Sequence, residues 1–220
     1  DMFNAPETLS LGIQAKQKGK VVGEVRLGDS VDASTLQVKI DKNNTVHLLH
    51  TTSDTKYFEE LKKSGGFSKS SKSKLVSISQ FSDIALDKQG NLIIPDSINH
   101  QIRKVTPDGK FTTIAGNGSS DFTGDGGPAI KATFAVPVAV ALDEAGNIYV
   151  GDSTNNRIRK IDTNGIVTTI AGNGEHKDTG DGGPAIEAGI RSMADLAFSP
   201  SGELYIVGSG SHRVRKIKKD

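Results

Sequence analysis

The sequence predicts an all-β fold: a β-propeller of four-stranded antiparallel blades, about four of them in this chain. Three observations predict it. Near-copies recur 56 positions apart. Each copy holds four short β-type runs separated by Gly, Asn or Asp turns. No 3.6-residue apolar period runs long enough for a helical repeat. A small four-stranded sheet repeated at such a period is a blade.

The register of the repeat is read from its copies. Ile84–Asp87, Val140–Asp143 and Leu196–Ser199 are apolar runs that each close on a small polar residue. A turn follows three residues later at Gly90, Gly146 and Gly202. Then come Leu92–Ile94, Ile148–Val150 and Leu204–Ile206, and after them Gln101–Val105, Arg157–Ile161 and Arg213–Ile217. Thr112–Gly118 returns as Thr168–Gly174, and Thr123–Ile130 as Thr179–Ile186. The four runs are labelled a to d. In the third unit, a covers about 138–143, b 147–152, c 157–162 and d 166–171.

A more divergent unit precedes these. Leu36–Asp41 reads as a, Val46–His50 as b, Tyr57–Leu61 as c and Leu75–Ile78 as d. The blades then span about 31–79, 80–135, 136–192 and 193–220, within one propeller domain covering 1–220. The last blade reaches Asp220 without a d run. Residues 19–26 resemble Gly165–Ile170 and are expected to supply it, which would close the ring and remove an exposed sheet edge. A fragment of a larger propeller, or two chains completing one ring, are the alternatives, so the expected state is a monomer or a self-completing dimer.

Composition narrows the function classes. The 220 residues carry a net charge of +1, which argues against nucleic acid as a partner. Basic residues gather at Arg213–Lys219 and in the Ser-rich stretch Lys62–Lys74, read as a solvated strand end and a loop. There is no cysteine, so disulfides, thiolate metal sites and Cys nucleophiles are excluded. No apolar run approaches the roughly 20 residues of a membrane span. No signal peptide is visible, and a start at Asp1 is expected of a processed chain.

Residues Gly146–Ile161, Asn91–Val105 and Glu203–Ile217 resemble NHL repeats. The Thr-Thr-Ile-Ala-Gly-Asn-Gly and Gly-Asp-Gly-Gly-Pro-Ala segments are similar to bacterial secreted NHL arrays and to the NHL region of teneurins. The resemblance covers about 80–220, while 36–68 look slightly more like a sialidase-type blade. It implies a non-catalytic scaffold that binds a protein or glycan through one propeller face, outside the cell or in the periplasm or cell envelope. A minority of the family are enzymes, so a metal-dependent lactonase-like or lyase-like propeller is the alternative. An RNA-binding module is the second. No cofactor is implied.

Antiparallel order puts the d–a and b–c connections on one face. The d–a connections, 117–135 and 173–192, are long, and binding usually sits on loops held by a rigid scaffold. Inter-blade linkage explains their length equally well. His100, Asn156, Arg157, His212, Arg213 and Arg215 are the candidate binding residues there. Asp96 with Arg103, and Asp152 with Arg159, have one spacing and are read as structural ion pairs. Gly208 stands where the last blade would carry that aspartate, so Arg215 is the cation expected to accept an outside anion. One carboxylate per loop, Asp125 or Asp181, is too few for calcium. The histidines do not converge as a metal site requires. No metal and no catalytic residue is assigned.

Overall fold

Each run a to d is short and β-branched, and a turn residue ends it before it lengthens. The computed structural model describes residues 83–218 in full and, before them, the strands β1 (Gly12–Gln17), β2 (Lys20–Arg26), β3 (Val31–Ile40), β4 (Val46–Thr52), β5 (Thr55–Lys63) and β6 (Phe67–Leu75). The chain divides into two units, Asp1–Ser77 with Pro107–Gly109, and Ile78–Thr106 with Lys110–Asp220.

In the first unit β3-β4-β5-β6 form one antiparallel blade and β1 pairs with β2. The sequence places strands a, b and c of this blade correctly but not d. β6 spans Phe67–Leu75, not 75–78, so residues 67–74 of the stretch read as a basic loop lie in a strand. Backbone ladder bonds hold a strand whatever its side chains, so a run of Ser and Lys carries no apolar signal to read.

The second unit holds three sheets. The first joins β7 (Ala85–Leu86), β8 (Leu92–Asp96), β9 (Gln101–Val105) and β10 (Phe111–Ala115). The second joins β11 (Pro137–Leu142), β12 (Ile148–Asp152), β13 (Arg157–Ile161) and β14 (Val167–Ala171). The third joins β15 (Met193–Phe198), β16 (Leu204–Gly208) and β17 (Arg213–Ile217). Every pairing is antiparallel, in sequence order. These are propeller blades, and the a strands are successive neighbours: β11 packs on β7 and β8 to one side and on β15 to the other.

Residues 19–26 were expected to complete the last blade. Lys20–Arg26 instead pairs with Gly12–Gln17, and the last sheet has three strands among the described residues. The matching d run (166–171) has a copy of its apolar pattern at 19–26, but a local hairpin partner three to fourteen residues away closes a much shorter loop.

Two apolar clusters bind the blades. One joins the first and second sheets through Ile93, Ile102, Phe134, Val140 and Val150. The other joins the second and third through Ile158, Ile190, Met193, Leu196 and Ile206. Each fully buried Ile or Phe is worth about 1.5–3 kcal/mol of transfer free energy. Phe134, in the first d–a connection, is fully buried. The end of that connection, Ala132 to Ala135, is therefore core, while 117–128 stays at the surface.

Candidate binding face

The long d–a connections are straps. Residues 116–136 leave the end of β10, run along the next blade and return to β11. Gly126 N–H donates to Val167 O at 2.8 Å, Ala129 N–H to Gly165 O at 2.7 Å, and Val167 N–H to Gly127 O at 3.0 Å. Each strap then folds on itself. Gly116 N–H donates to Ala129 O at 2.9 Å, and Gly172 N–H to Ala185 O at 3.0 Å. A single 3₁₀ turn, Ala129–Lys131 or Ala185–Glu187, sits at each fold.

An arginine on the following c strand locks each strap. The fully buried Arg159 donates from Nε to Asp125 Oδ1 at 3.0 Å, from Nη1 to Thr133 O at 3.2 Å and from Nη2 to Thr123 O at 3.1 Å. Its Nη1 also lies 3.4 Å from Asp152 Oδ2. The ring centroids of Phe122 and Phe134 lie 4.8 and 5.2 Å from its guanidinium carbon. One blade on, Arg215 repeats the pattern: Nε to Asp181 Oδ1 at 2.8 Å, Nη1 to Gly189 O at 2.6 Å and Nη2 to Thr179 O at 2.9 Å. A guanidinium with five donors in a rigid fork serves three fixed acceptors at once, which the compact ammonium of a lysine does less well.

This corrects the expectation for Arg215. The residue opposite it on its own blade is indeed no aspartate, but the strap supplies Asp181 from the preceding blade. Sequence reasoning missed this because Asp181 and Arg215 are 34 residues apart. The signal was present: Asp125 and Asp181 recur at the same period as Arg159 and Arg215.

Within the b–c turns the aspartates act as hubs. Asp96 accepts both carboxylate bonds from Asn99 Nδ2, at 3.0 and 2.9 Å, and lies 3.3 Å from Arg103 Nε. Arg103 also bonds the Thr113 hydroxyl. Asp152 accepts from Asn155 Nδ2 at 2.8 Å and from Ala135 N–H at 2.7 Å. Burial pushes the Asp152 carboxyl above its ordinary value, against the pull of Asn155, the Ala135 N–H and Arg159.

The other candidates divide by blade. His100, Asn156 and His212 share a left-handed backbone, with φ of 55°, 53° and 52°. His100 Nδ1 accepts the Val136 N–H at 3.2 Å. Asn156 is buried and donates to Gly174 O at 3.2 Å. Arg157 donates to Asn155 O and Asn173 O at 2.9 and 3.0 Å, and its guanidinium carbon lies 4.0 Å from the Phe122 ring centroid. These groups fix loops. His212 and Arg213, in the last blade, are exposed, and Arg213 lies 3.9 Å from Asp181.

Two apolar side chains that sequence reasoning passed over stand beside this turn. Ile98 is 54% exposed and Val136 37% exposed. Ile98 precedes His100 by two residues, and Val136 is tied to His100. Thr154, on the neighbouring b–c turn, is exposed and donates its N–H to Ala135 O at 3.0 Å. Among the described residues no group of three or more His, Cys, Asp or Glu is placed to hold a metal, and no helix is long and apolar enough to cross a membrane.

Repeated blades and their straps define an NHL-like β-propeller architecture. Residues 117–180 match the Teneurin NHL domain family. The chain is 30% identical to human Teneurin-4 over 143 residues, 59% of this chain and 5% of that protein. It therefore spans a small part of that relative. A crystal structure of a structural-genomics protein from Bacteroides thetaiotaomicron superposes with a TM-score of 0.68 at 22% identity, covering 88% of this chain and 50% of that one. Virginiamycin B lyase from Staphylococcus aureus superposes with a TM-score of 0.55 at 14% identity, covering 92% and 61%. At such identities the structural likeness shows the fold alone.

Proposed function

We propose that this chain works as a protein-binding propeller scaffold outside the cell or in the cell envelope. Its contact surface is the b–c turn side around Ile98, His100, Val136 and Thr154, continued by His212 and Arg213. The single-domain reading of 1–220 belongs to the same proposal. One observation carries it: two large apolar side chains stand exposed beside a turn whose backbone is locked by hydrogen bonds. Exposed apolar groups on a rigid support favour protein contact. The NHL-type likeness supports an interaction role.

The test compares the wild type with Ile98→Glu/Val136→Glu in capture of proteins from an envelope extract, beside a glycan array. The reading expects proteins captured by the wild type and lost from the double variant, with no glycan bound. An unchanged set of captured proteins would refute the surface, and selective glycan binding would refute the partner class.

A further inference from the structure

A strand-shaped groove runs along the outer edge of the third sheet of the 83–218 unit. The second sheet shows what such a groove holds. There β14 lies between β13 and the strap that arrives from the preceding blade. It pairs with β13 along one edge, in the register Lys160↔Thr168 and Ile161↔Val167. Along its other edge Ile166 and Pro128 form a bridge. The strap there bonds β14 and the turn before it through Gly126 N–H, Gly127 O and Ala129 N–H.

The third sheet builds the same two walls. β17 pairs with β16 on one side and is the edge strand among the described residues. The strap 173–192 is held against β17 as the first strap is held against β13. Arg215 bonds Asp181, Gly189 O and Thr179 O, as Arg159 bonds Asp125, Thr133 O and Thr123 O, each partner 56 residues on. The same three bonds set the same spacing between strand and strap. Gly182 N–H, Gly183 O and Ala185 N–H are the equivalents of the strap groups that hold β14, and they have no partner among the described residues. Val214 is 65% exposed, whereas its equivalents Ile102 and Ile158 are fully buried and lie opposite Ala115 and Ala171 of the d strands. An edge strand with free N–H and C=O groups is a template for one more strand. Here a second row of backbone groups, on the strap, frames the same space.

We propose that this groove takes an extended segment of a partner polypeptide as the fourth strand of the blade, by strand addition. Main-chain bonds along both edges give the affinity, and the d strands of the other two sheets give the sequence it reads. Both run apolar-Thr-Thr-Ile-Ala-Gly, at Phe111–Gly116 and Val167–Gly172. The Gly is required, because its φ is 88° and 91° and a Cβ would press on His100 O or Asn156 O. His212 holds the equivalent place beside β17, with the same left-handed backbone. Arg213 is exposed and is the equivalent of Arg157, which donates to Asn173 O just beyond β14. It is therefore placed to bond the carbonyl two residues past the Ala of the added strand. The groove shares His212 and Arg213 with the b–c surface but not Ile98 or Val136, so the two readings fail separately.

The probe is the capped peptide Gly-Ile-Val-Thr-Thr-Ile-Ala-Gly-Asn-Gly, the sequence of residues 165–174, titrated calorimetrically into the full chain. It is expected to bind and to slow amide exchange across Arg213–Ile217. A peptide with Ala in place of the Gly after Ile-Ala is expected to bind roughly tenfold more weakly, the scale of one left-handed residue with a Cβ. A scrambled peptide is expected not to bind. Ala185→Pro removes a donor unpaired in the free chain, at the first position of a 3₁₀ turn, where proline fits. With an unaltered melting curve it is expected to weaken the peptide about fivefold, the scale of one hydrogen bond. The peptide controls need no variant of the chain. No binding of the probe, equal binding of the Ala or scrambled peptide, unchanged exchange in β17, or an unaffected Ala185→Pro chain would each overturn the proposal. So would a dimer of the chain that saturating peptide does not dissociate, since a second copy would then fill the groove.

Discussion

Arg159 shows how a residue that looks ready for a ligand is consumed by the fold. Its guanidinium is fully buried between two carboxylates and two strap carbonyls. Removing one partner of a buried pair strands the other, at about 3–5 kcal/mol. Asp152→Ala is therefore expected to lower unfolding free energy by that amount in urea titration, with Arg215→Ala costing less because its partner Asp181 is exposed. The Asp152 and Arg159 pairing was legible from spacing, since a seven-residue offset spans the b–c hairpin. The role of Asp125 was not, because nothing local marks where a distant strap lands. Tyr149 offers a second residue-level test. Burial, and then the Asp143 carboxylate that accepts its hydroxyl, push its pKa up to about 12. Absorbance titration should show one tyrosine ionising near that value, absent in Tyr149→Phe. Ionisation of every tyrosine near 10, its ordinary value, would contradict the hydrogen bond from the Tyr149 hydroxyl to Asp143.

At the scale of the element, turns and straps divide the work. The a–b turns are held by Asp87 and Asp143, which accept from the backbone and side chain of Asn91 and Asn147. Burial alone would raise both carboxyls, but these bonds outweigh it and hold them below the ordinary value of 3.8. A lowered folded value means stability that is complete above the unfolded value and lost as pH falls below it through the folded one. Thermal midpoints should therefore drop below pH 3.8, with a shallower drop in Asp87→Asn/Asp143→Asn. The straps make a sharper prediction. A Cβ on Gly172 would stand 2.2 Å from Asn156 O, whereas one on Gly182 meets nothing within 4 Å, and both have left-handed φ. Gly182→Ala is expected to cost about 1–2 kcal/mol from backbone strain alone, and Gly172→Ala measurably more in the same denaturant titration. Equal costs would show that the strap does not press on the b–c turn. The strands were legible because apolar alternation reports a buried face; β6 was not, because its residues have no such pattern. The exposed side chains of the b–c turns were read as polar ligands because sequence shows residue type and not accessibility.

Across the molecule, one 56-residue pattern yields both cohesion and surface. Strap contacts to His100, Asn155 and Asn156, with the blades' own aspartates holding Asn99 and Asn155, tie down the first two b–c turns of the 83–218 unit, while Ile98 and Val136 stay exposed. The repeat itself was evident in the sequence because its copies are nearly identical; which connections were core and which were surface depended on Phe134 and Arg159 reaching a neighbouring blade. The account rests on the straps being part of the folded core, and native-state hydrogen exchange of the full chain measures that directly. The amides of Gly126, Ala129 and Val167, bonded between strap and blade, are expected to exchange slowly in the wild type and to lose protection together in Arg159→Ala. Exchange of Gly126 and Ala129 in the wild type at the rate of an open loop would contradict it.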